Sequence, residues 1–308
     1  IAEKGIGMLA EGKNSNNEVS TATNNAKIAI TSTAKKSIGM YAKDSGDVKN
    51  NKEIEVLAEN GVGIFVSDTG KGENTAPNGK ILLNNKETVG IFAQNNGAGH
   101  TAQNAGKIIL GKEDGTSANE SLIGMFAQAE AGKTASVKNT GTIDVNTKKS
   151  VGMYAKNDAT NVGDVDLQNI ETININNESS AGIYMKRKAN LDLQTVTKDF
   201  AFNAATNEVT AGSFKPIEIF GDKSIGFYQF AEGGTAEGNF AVNIGALGKG
   251  NENFSTTAVS NLTAGTNITD LNINPTNGTN TNIQGSFGIL SVSYTHLRAH
   301  ETRHDIVC

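Results

Sequence analysis

Apolar and polar residues alternate along this chain in short runs, and the runs recur at a fixed distance. An Ile-x-(Ile/Val/Leu) step is followed, nine residues after its first isoleucine, by the glycine of an (Ile/Val)-Gly-(Ile/Met)-(Tyr/Phe)-Ala run. Ile54 leads in this way to Gly63, Ile81 to Gly90, Ile143 to Gly152, Ile173 to Gly182 and Ile217 to Gly226. Ile28 to Gly39 is two residues longer, and Ile108 to Gly124 holds a seven-residue insertion. The leading isoleucines lie 26, 27, 27, 35, 30 and 44 residues apart. A repeat of ~20–50 residues signals a solenoid, a propeller or another array of small units.

Both runs have the period of a strand with one buried face. Ile54-Glu55-Val56, Ile143-Asp144-Val145 and Ile173-Asn174-Ile175 alternate apolar and polar. In the second run the same parity puts Val151, Met153 and Ala155 on the core face, with Gly152 and Tyr154 opposite. Ile38/Met40/Ala42, Val62/Ile64/Val66, Val89/Ile91/Ala93 and Ile123/Met125/Ala127 fill the same columns. No window carries a sustained helical stripe. Two or three strands per ~27 residues predict an all-β, right-handed parallel β-helix (β-solenoid) in which neighbouring coils pair at about 4.8 Å. One coil buries too few side chains to offset its own ordering, so stability resides in the contacts between coils.

Two further columns belong to the corners. An asparagine stands four residues before the leading isoleucine at Asn24, Asn50, Asn104, Asn139 and Asn169, and in the coil of Ile81 it shifts to Asn78. Asparagine tolerates tight corners, and its amide can bond the same amide one coil away. The repeat glycines are expected where backbones approach closely or a neighbouring ring needs room. After about residue 186 the rhythm loosens. Leu191-Asp192-Leu193, Phe200-Ala201-Phe202 and Phe240–Ile244 read as coils with long insertions or strand excursions. Leucine-rich repeats, propeller blades and calcium-binding nonapeptides each fail on spacing.

Residues 1–291 are thus expected to form the solenoid, with 292–308 set apart. The last stretch, VSYTHLRAHETRHDIVC, holds the sole cysteine, three of the four histidines and two of the three arginines. It resembles a translated sequencing adapter, and such a segment is excluded from fold reasoning. The chain opens in mid-repeat, which predicts a piece of a longer protein.

The repeated motifs resemble a known family. Ser37-Ile38-Gly39-Met40-Tyr41-Ala42, Asn139-Thr140-Gly141-Thr142-Ile143-Asp144-Val145 and Ser150-Val151-Gly152-Met153-Tyr154-Ala155 are similar to the passenger repeats of very large Gram-negative autotransporter adhesins. The resemblance spans roughly residues 5–230. It implies a β-helical stalk at the cell surface, anchored to the outer membrane by a C-terminal barrel in the full-length protein. It also implies adhesion to a protein or glycan of a host or bacterial surface. The other reading is a carbohydrate-binding or carbohydrate-cleaving β-helix of the tailspike kind.

Charge and chemistry narrow the choice. The net charge of −5 argues against a nucleic-acid partner, which demands a basic stripe. No apolar run is long enough to span a membrane. His100, alone in its loop, is expected to be a solvated bystander, and any Ser-His-Asp arrangement would have to use it. The outward column Ala29, Glu55, Leu82, Ile109, Asp144, Asn174, Glu218 puts no two carboxylates on adjacent coils, which disfavours paired-acid hydrolysis. Asp158, Asp164 and Asp166 match no calcium loop. Gly70-Lys71-Gly72 and Gly248-Lys249-Gly250 do not join a strand to a helix as a phosphate loop does. The sequence therefore points to no enzyme, metal or cofactor.

One column remains as a candidate binding site. Two residues after each glycine stand Leu9, Tyr41, Phe65, Phe92, Phe126, Tyr154, Tyr184 and Tyr228. Period two turns these rings outward. They are expected either to be covered by the following turns, to stack on the repeat glycines, or to form a binding stripe.

Overall fold

A computed structural model describes residues 3–115, 118–130, 132–157, 164–169 and 171–187, followed by 201–203, 208–210, 217–219, 221–231, 240–244, 257–259 and 287–293. The chain is an all-β parallel solenoid of about six regular turns with ~28 residues each. Every regular turn contributes three strands, each to its own sheet.

The first sheet holds the glycine runs, in the order Ile6–Glu11, Ile38–Lys43, Val62–Ser67, Val89–Gln94, Ile123–Ala129, Val151–Asn157, Ala181–Arg187, Ile225–Ala231 and Phe287–Ser293. The second sheet ends its strands on asparagine: Thr21–Asn24, Asp47–Asn50, Lys71–Asn74, Ala102–Asn104, Thr134–Asn139 and Asp164–Asn169. The third carries the leading isoleucines, from Lys27–Ile30 through Ile173–Ile175 to Ile217–Ile219. Ile28, Ile54, Ile81, Ile108, Ile143, Ile173 and Ile217 pair one to the next in a single column. The nine-residue interval is therefore the step from the third sheet around a corner to the first.

The core fills the prism between the sheets. Ile54, Ile81, Ile108, Ile143 and Ile173 are fully buried, and so are Met40, Ile64, Ile91, Met125 and Met153 across from them. The second sheet adds Val48, Ala102, Val137 and Leu167.

At the glycines the simple alternation fails. A Cβ built on Gly90 would lie 2.5 Å from the Gly124 carbonyl oxygen and 3.1 Å from Cγ2 of Ile108, one coil on; Gly39, Gly63, Gly124 and Gly152 meet the same neighbours. The glycine therefore faces the core, where backbone and isoleucine leave no room for a side chain. The residue after it, such as Met153, is buried as well. Two successive inward residues displace the one before. Ile38, Val62, Val89 and Ile123, expected in the core, are only half-buried. Ile123, Val151 and Ala181 pack instead with Phe126, Tyr154 and Tyr184 on the outside. The parity argument assumed an unbroken pleat, and the bend at glycine breaks it.

The asparagine corner is a continuous amide ladder. Asn24 Nδ2 donates to Asn50 Oδ1 at 2.7 Å, Asn50 to Asn74 at 2.8 Å, Asn74 to Asn104 at 2.8 Å, Asn104 to Asn139 at 2.7 Å and Asn139 to Asn169 at 2.7 Å. The coil of Ile81 thus supplies Asn74 and not Asn78, which is exposed. Three extra residues, Ala76 to Asn78, are looped out after the corner, so spacing counted back from Ile81 lands inside the loop.

Beyond 187 the first sheet continues through Ile225–Ala231 and Phe287–Ser293, and the third through Phe240–Ile244. Ala201–Asn203 and Glu208–Thr210 form an antiparallel pair, and Thr257–Val259 runs antiparallel to Phe240–Ile244. These are strand excursions of the kind the loosened rhythm implies. The last strand includes Val292 and Ser293, which pair with Phe230 and Ala231, so the ladder extends two residues past the boundary expected at 291. Leu191–Leu193, residues 294–308 with their three histidines and Cys308, Gly248–Gly250 and Asp158 lie outside the described residues.

Candidate functional site: the outward aromatic column

The rings of Tyr41, Phe65, Phe92, Phe126, Tyr154, Tyr184 and Tyr228 form one unbroken stack along the rod. Successive centroids lie 4.7–5.0 Å apart with interplanar angles of 8–30°. The spacing equals the strand separation, so the ladder of backbone bonds sets the stack. The glycines face inward, so the rings do not rest on them. At the ends of the stack Leu9 pairs with Tyr41 and Leu290 with Tyr228.

Stacking has a chemical consequence. Each interior ring has both faces against its neighbours and turns only its edges to solvent. Tyr41, Phe65, Phe92 and Phe126 are half-buried, and Tyr154 and Tyr184 are buried to 5% and 8% exposure. Tyr41 Oη bonds Ser67 Oγ at 3.0 Å. The column is flanked on one side by the Ile/Val row displaced by the glycine bend. On the other side run Lys43, Ser67, Gln94, Gln128 and Lys156. The result is a flat apolar band with one polar margin.

The other margin is a corner that the sequence did not reveal. Lys4, Lys36, Asn60, Glu87, Ser121, Lys149, Ser179 and Lys223, each two residues before the Ile/Val row, have φ between 50° and 64°. Among these only asparagine favours that conformation, so composition gave no signal. A shared corner geometry was detectable only as a constant offset. Between corner and Ile/Val row lies a serine ladder: Gly5 N donates to Ser37 Oγ, Leu122 N to Ser150, Ser150 N to Ser180 and Ser180 N to Ser224, at 3.0–3.2 Å. A half-open groove of about 300 Å³ runs along this margin over Val89, Ile123 and Val151, with Glu87, Ser121 and Lys149 on its rim.

The outer face of the third sheet is laced by ion pairs between coils. Lys27 meets Glu53 at 2.9 Å and Glu55 at 2.7 Å, Lys80 meets Glu113 at 2.6 Å, and Lys107 meets Asp144 at 2.8 Å. The Lys27 ammonium holds the Glu53 carboxyl below the usual range, and Lys80 does the same for Glu113. Glu55, Leu82, Ile109 and Asp144 follow one another in register, so that column keeps its carboxylates on non-adjacent coils. Glu53, however, shares the strand and outer face of Glu55, and Lys27 bridges the two. Glu113 belongs to the seven-residue insertion, which returns over this face where the outward Ile109 is fully buried.

His100 is not solvated. Its side chain is 19% exposed and its Nε2 lies 2.9 Å from Asp166 Oδ2, two coils on. Ser136 stands between them but is no nucleophile in waiting. It is fully buried, accepts the His100 main-chain N–H at 2.9 Å and donates to the Gly97 carbonyl at 2.7 Å. Asn96 closes the loop by bonding Ser136 N, Ser136 O and Thr101 Oγ1. The arrangement clasps a long turn to the coil above it. Among the described residues no three His, Cys, Asp or Glu side chains gather to hold a metal, and no helix is long and apolar enough to cross a membrane.

The sequence matches the model of the BigA third pectate lyase-like domain over residues 18–132 and again over 76–192. The chain belongs to this family. The two matches overlap with an offset of about two turns, as expected when a repeat can be laid on itself in more than one register. No curated protein and no solved structure matches the chain. For a BigA-type pectate lyase-like domain the family establishes the β-helix and leaves the activity open.

Proposed function

We propose that this chain is a non-catalytic segment of a cell-surface adhesin, a rigid stalk that presents its apolar band to proteins on a host or bacterial surface. The observation that carries this reading is the column of ring edges and half-buried Ile/Val side chains on four successive coils, from Ile38 and Tyr41 to Ile123 and Phe126. A partly exposed apolar patch kept over several coils is the mark of an interaction face. The motif resemblance to autotransporter passengers and membership of a β-helix family support the same reading. Ring faces are consumed by stacking, so a sugar ring finds no open platform, and a protein surface is the better complement. The one close carboxylate pair, Glu53 and Glu55, is neutralised by Lys27, and Ser136 is buried and bonded, which favours binding over cleavage.

The test is adhesion of beads coated with the purified chain to cultured epithelial cells, with polygalacturonate incubated in parallel. The expected result is cell binding above that of an unrelated solenoid, with polygalacturonate viscosity unchanged. Cleavage of the polymer, or adhesion no greater than the control, overturns the proposal.

A further inference from the structure

The groove on the corner margin reverses its charge about its middle coil, with Asn60 added at one end. Ser121 and Ile123 lie on its middle coil. One coil before stand Glu87 and Val89, and one coil after stand Lys149 and Val151. The floor therefore reads valine, isoleucine, valine, and the rim reads carboxylate, hydroxyl, ammonium. That is the pattern a two-fold axis requires, because an isologous interface must be complementary to itself. Turned about an axis through the Ile123 coil and perpendicular to the rod, Glu87 faces Lys149 of the second copy and Lys149 faces its Glu87. Ile123 then meets Ile123, and Val89 comes over the coil of Val151, which is itself buried.

We propose that this margin is a pairing face for a second copy of the same chain, laid antiparallel alongside the first. The proposal rests on reading the apolar band as a contact face and names its partner. Three observations favour a copy over any other occupant. A partner that touches several coils must repeat at the rod's own rise of about 4.8 Å, which a second solenoid does by construction. Glu87 is exposed and enters no ion pair among the described residues, since its neighbour Lys86 is held by Glu59 at 2.9 Å. Lys149 holds Glu120 at 2.9 Å, and an ammonium has N–H donors to spare for a second carboxylate. The same axis sets Lys36 opposite Lys223 of the copy, so the attractive contact is limited to the central coils.

The area is small. A few coils of one sheet face amount to a few hundred Å², below the ~800 Å² per partner of a stable complex. Pairing is therefore weak in dilute solution and gains where copies stand side by side at high local concentration.

The experiment uses the full chain with Cys308→Ser and a single new cysteine, Ile123→Cys, oxidised at high protein concentration. A Glu55→Cys chain, with its thiol on the third sheet, is the control. The expected result is a disulfide-linked dimer several-fold more abundant for Ile123→Cys. Adding Glu87→Lys should suppress it, and adding Lys149→Glu to that chain should restore it. Equal yields at the two positions, or a yield that Glu87→Lys leaves unchanged, overturns the proposal. Should Ile123→Cys fail to melt like the parent, sedimentation of the cysteine-free chain at rising concentration takes its place. Self-association lost in Glu87→Lys and regained in the double reversal supports pairing, and any other pattern refutes it. Cell adhesion that survives without dimerisation removes this pairing alone and leaves the adhesive reading standing.

Discussion

Single residues carry sharply different weights in this fold. Gly90→Ala places a methyl 2.5 Å from a backbone oxygen that cannot retreat without parting two strands. We expect a loss of about 3 kcal/mol or more, at the upper end of overpacking costs. Gly97 has φ of 86° and nothing within 4 Å of its Cβ position, so Gly97→Ala should cost only about 1–2 kcal/mol of left-handed strain. Denaturant midpoints of the two variants check the order. The amide ladder offers a second contrast. Asn74→Ala takes the donor from the buried Asn104 Oδ1 and leaves Asn50 Nδ2 only the Lys52 and Lys80 carbonyls, a loss of about 1–3 kcal/mol. Asn78→Ala, on the exposed loop, should stay within ~0.5 kcal/mol. Equal effects would mean that the ladder is not continuous through this coil. Phe92→Ser combined with Phe126→Ser removes two interior rings from the stack and should lower the melting temperature markedly, since stacking and apolar burial are lost together.

At the level of the element, the strands are tied coil to coil by side-chain ladders as well as by backbone bonds. The ion pairs of the third sheet and of the corner after it have a readable pH dependence. Lys27 depresses Glu53, Lys86 and then Lys35 depress Glu59, Lys80 depresses Glu113, and Lys148 depresses Glu178. A carboxyl whose folded pKa is below its unfolded value adds stability above the unfolded value of 4.5. That stability disappears as pH falls through the folded pKa. Thermal melting should therefore be flat from neutrality down to about pH 5 and fall below pH 4.5, with a smaller fall in high salt. A midpoint that rises on acidification would show these pairs to be ornamental.

At the scale of the whole molecule the solenoid is a one-dimensional stack, and each coil touches its two neighbours. Excising residues 62–88 joins Gly61 to Val89 and preserves every column: Asn50 then meets Asn104, Ile54 meets Ile108, and Tyr41 meets Phe92. The shortened chain should fold, keep its β-sheet circular dichroism and lose about 4.8 Å of length by small-angle scattering. An unfolded product would mean that the coils are not interchangeable units. The same linearity explains why the family model matches in two registers.

The sequence by itself determined the architecture, the isoleucine column, the outward rings and most of the asparagine ladder. Each of these is a short-range periodicity, and period two together with a constant repeat length leaves few alternatives. What the tertiary structure decided depends on contacts between coils. The glycine faces the core because the next coil's carbonyl and isoleucine occupy the place of its side chain, and that bend turns Ile38, Val62, Val89 and Ile123 outward to flank the rings. Asn74 replaces Asn78 because the ladder fixes the corner in space while the chain is free to loop after it. The left-handed corner through Lys36, Glu87 and Lys149 carries no residue signature, since the turn is imposed by the strands on either side. His100 finds Asp166 across two coils, a separation in sequence that no local pattern records. The charge reversal along the groove emerged only when Glu87, Ser121 and Lys149 were stacked, because neighbours along the rod are about a turn apart in the chain.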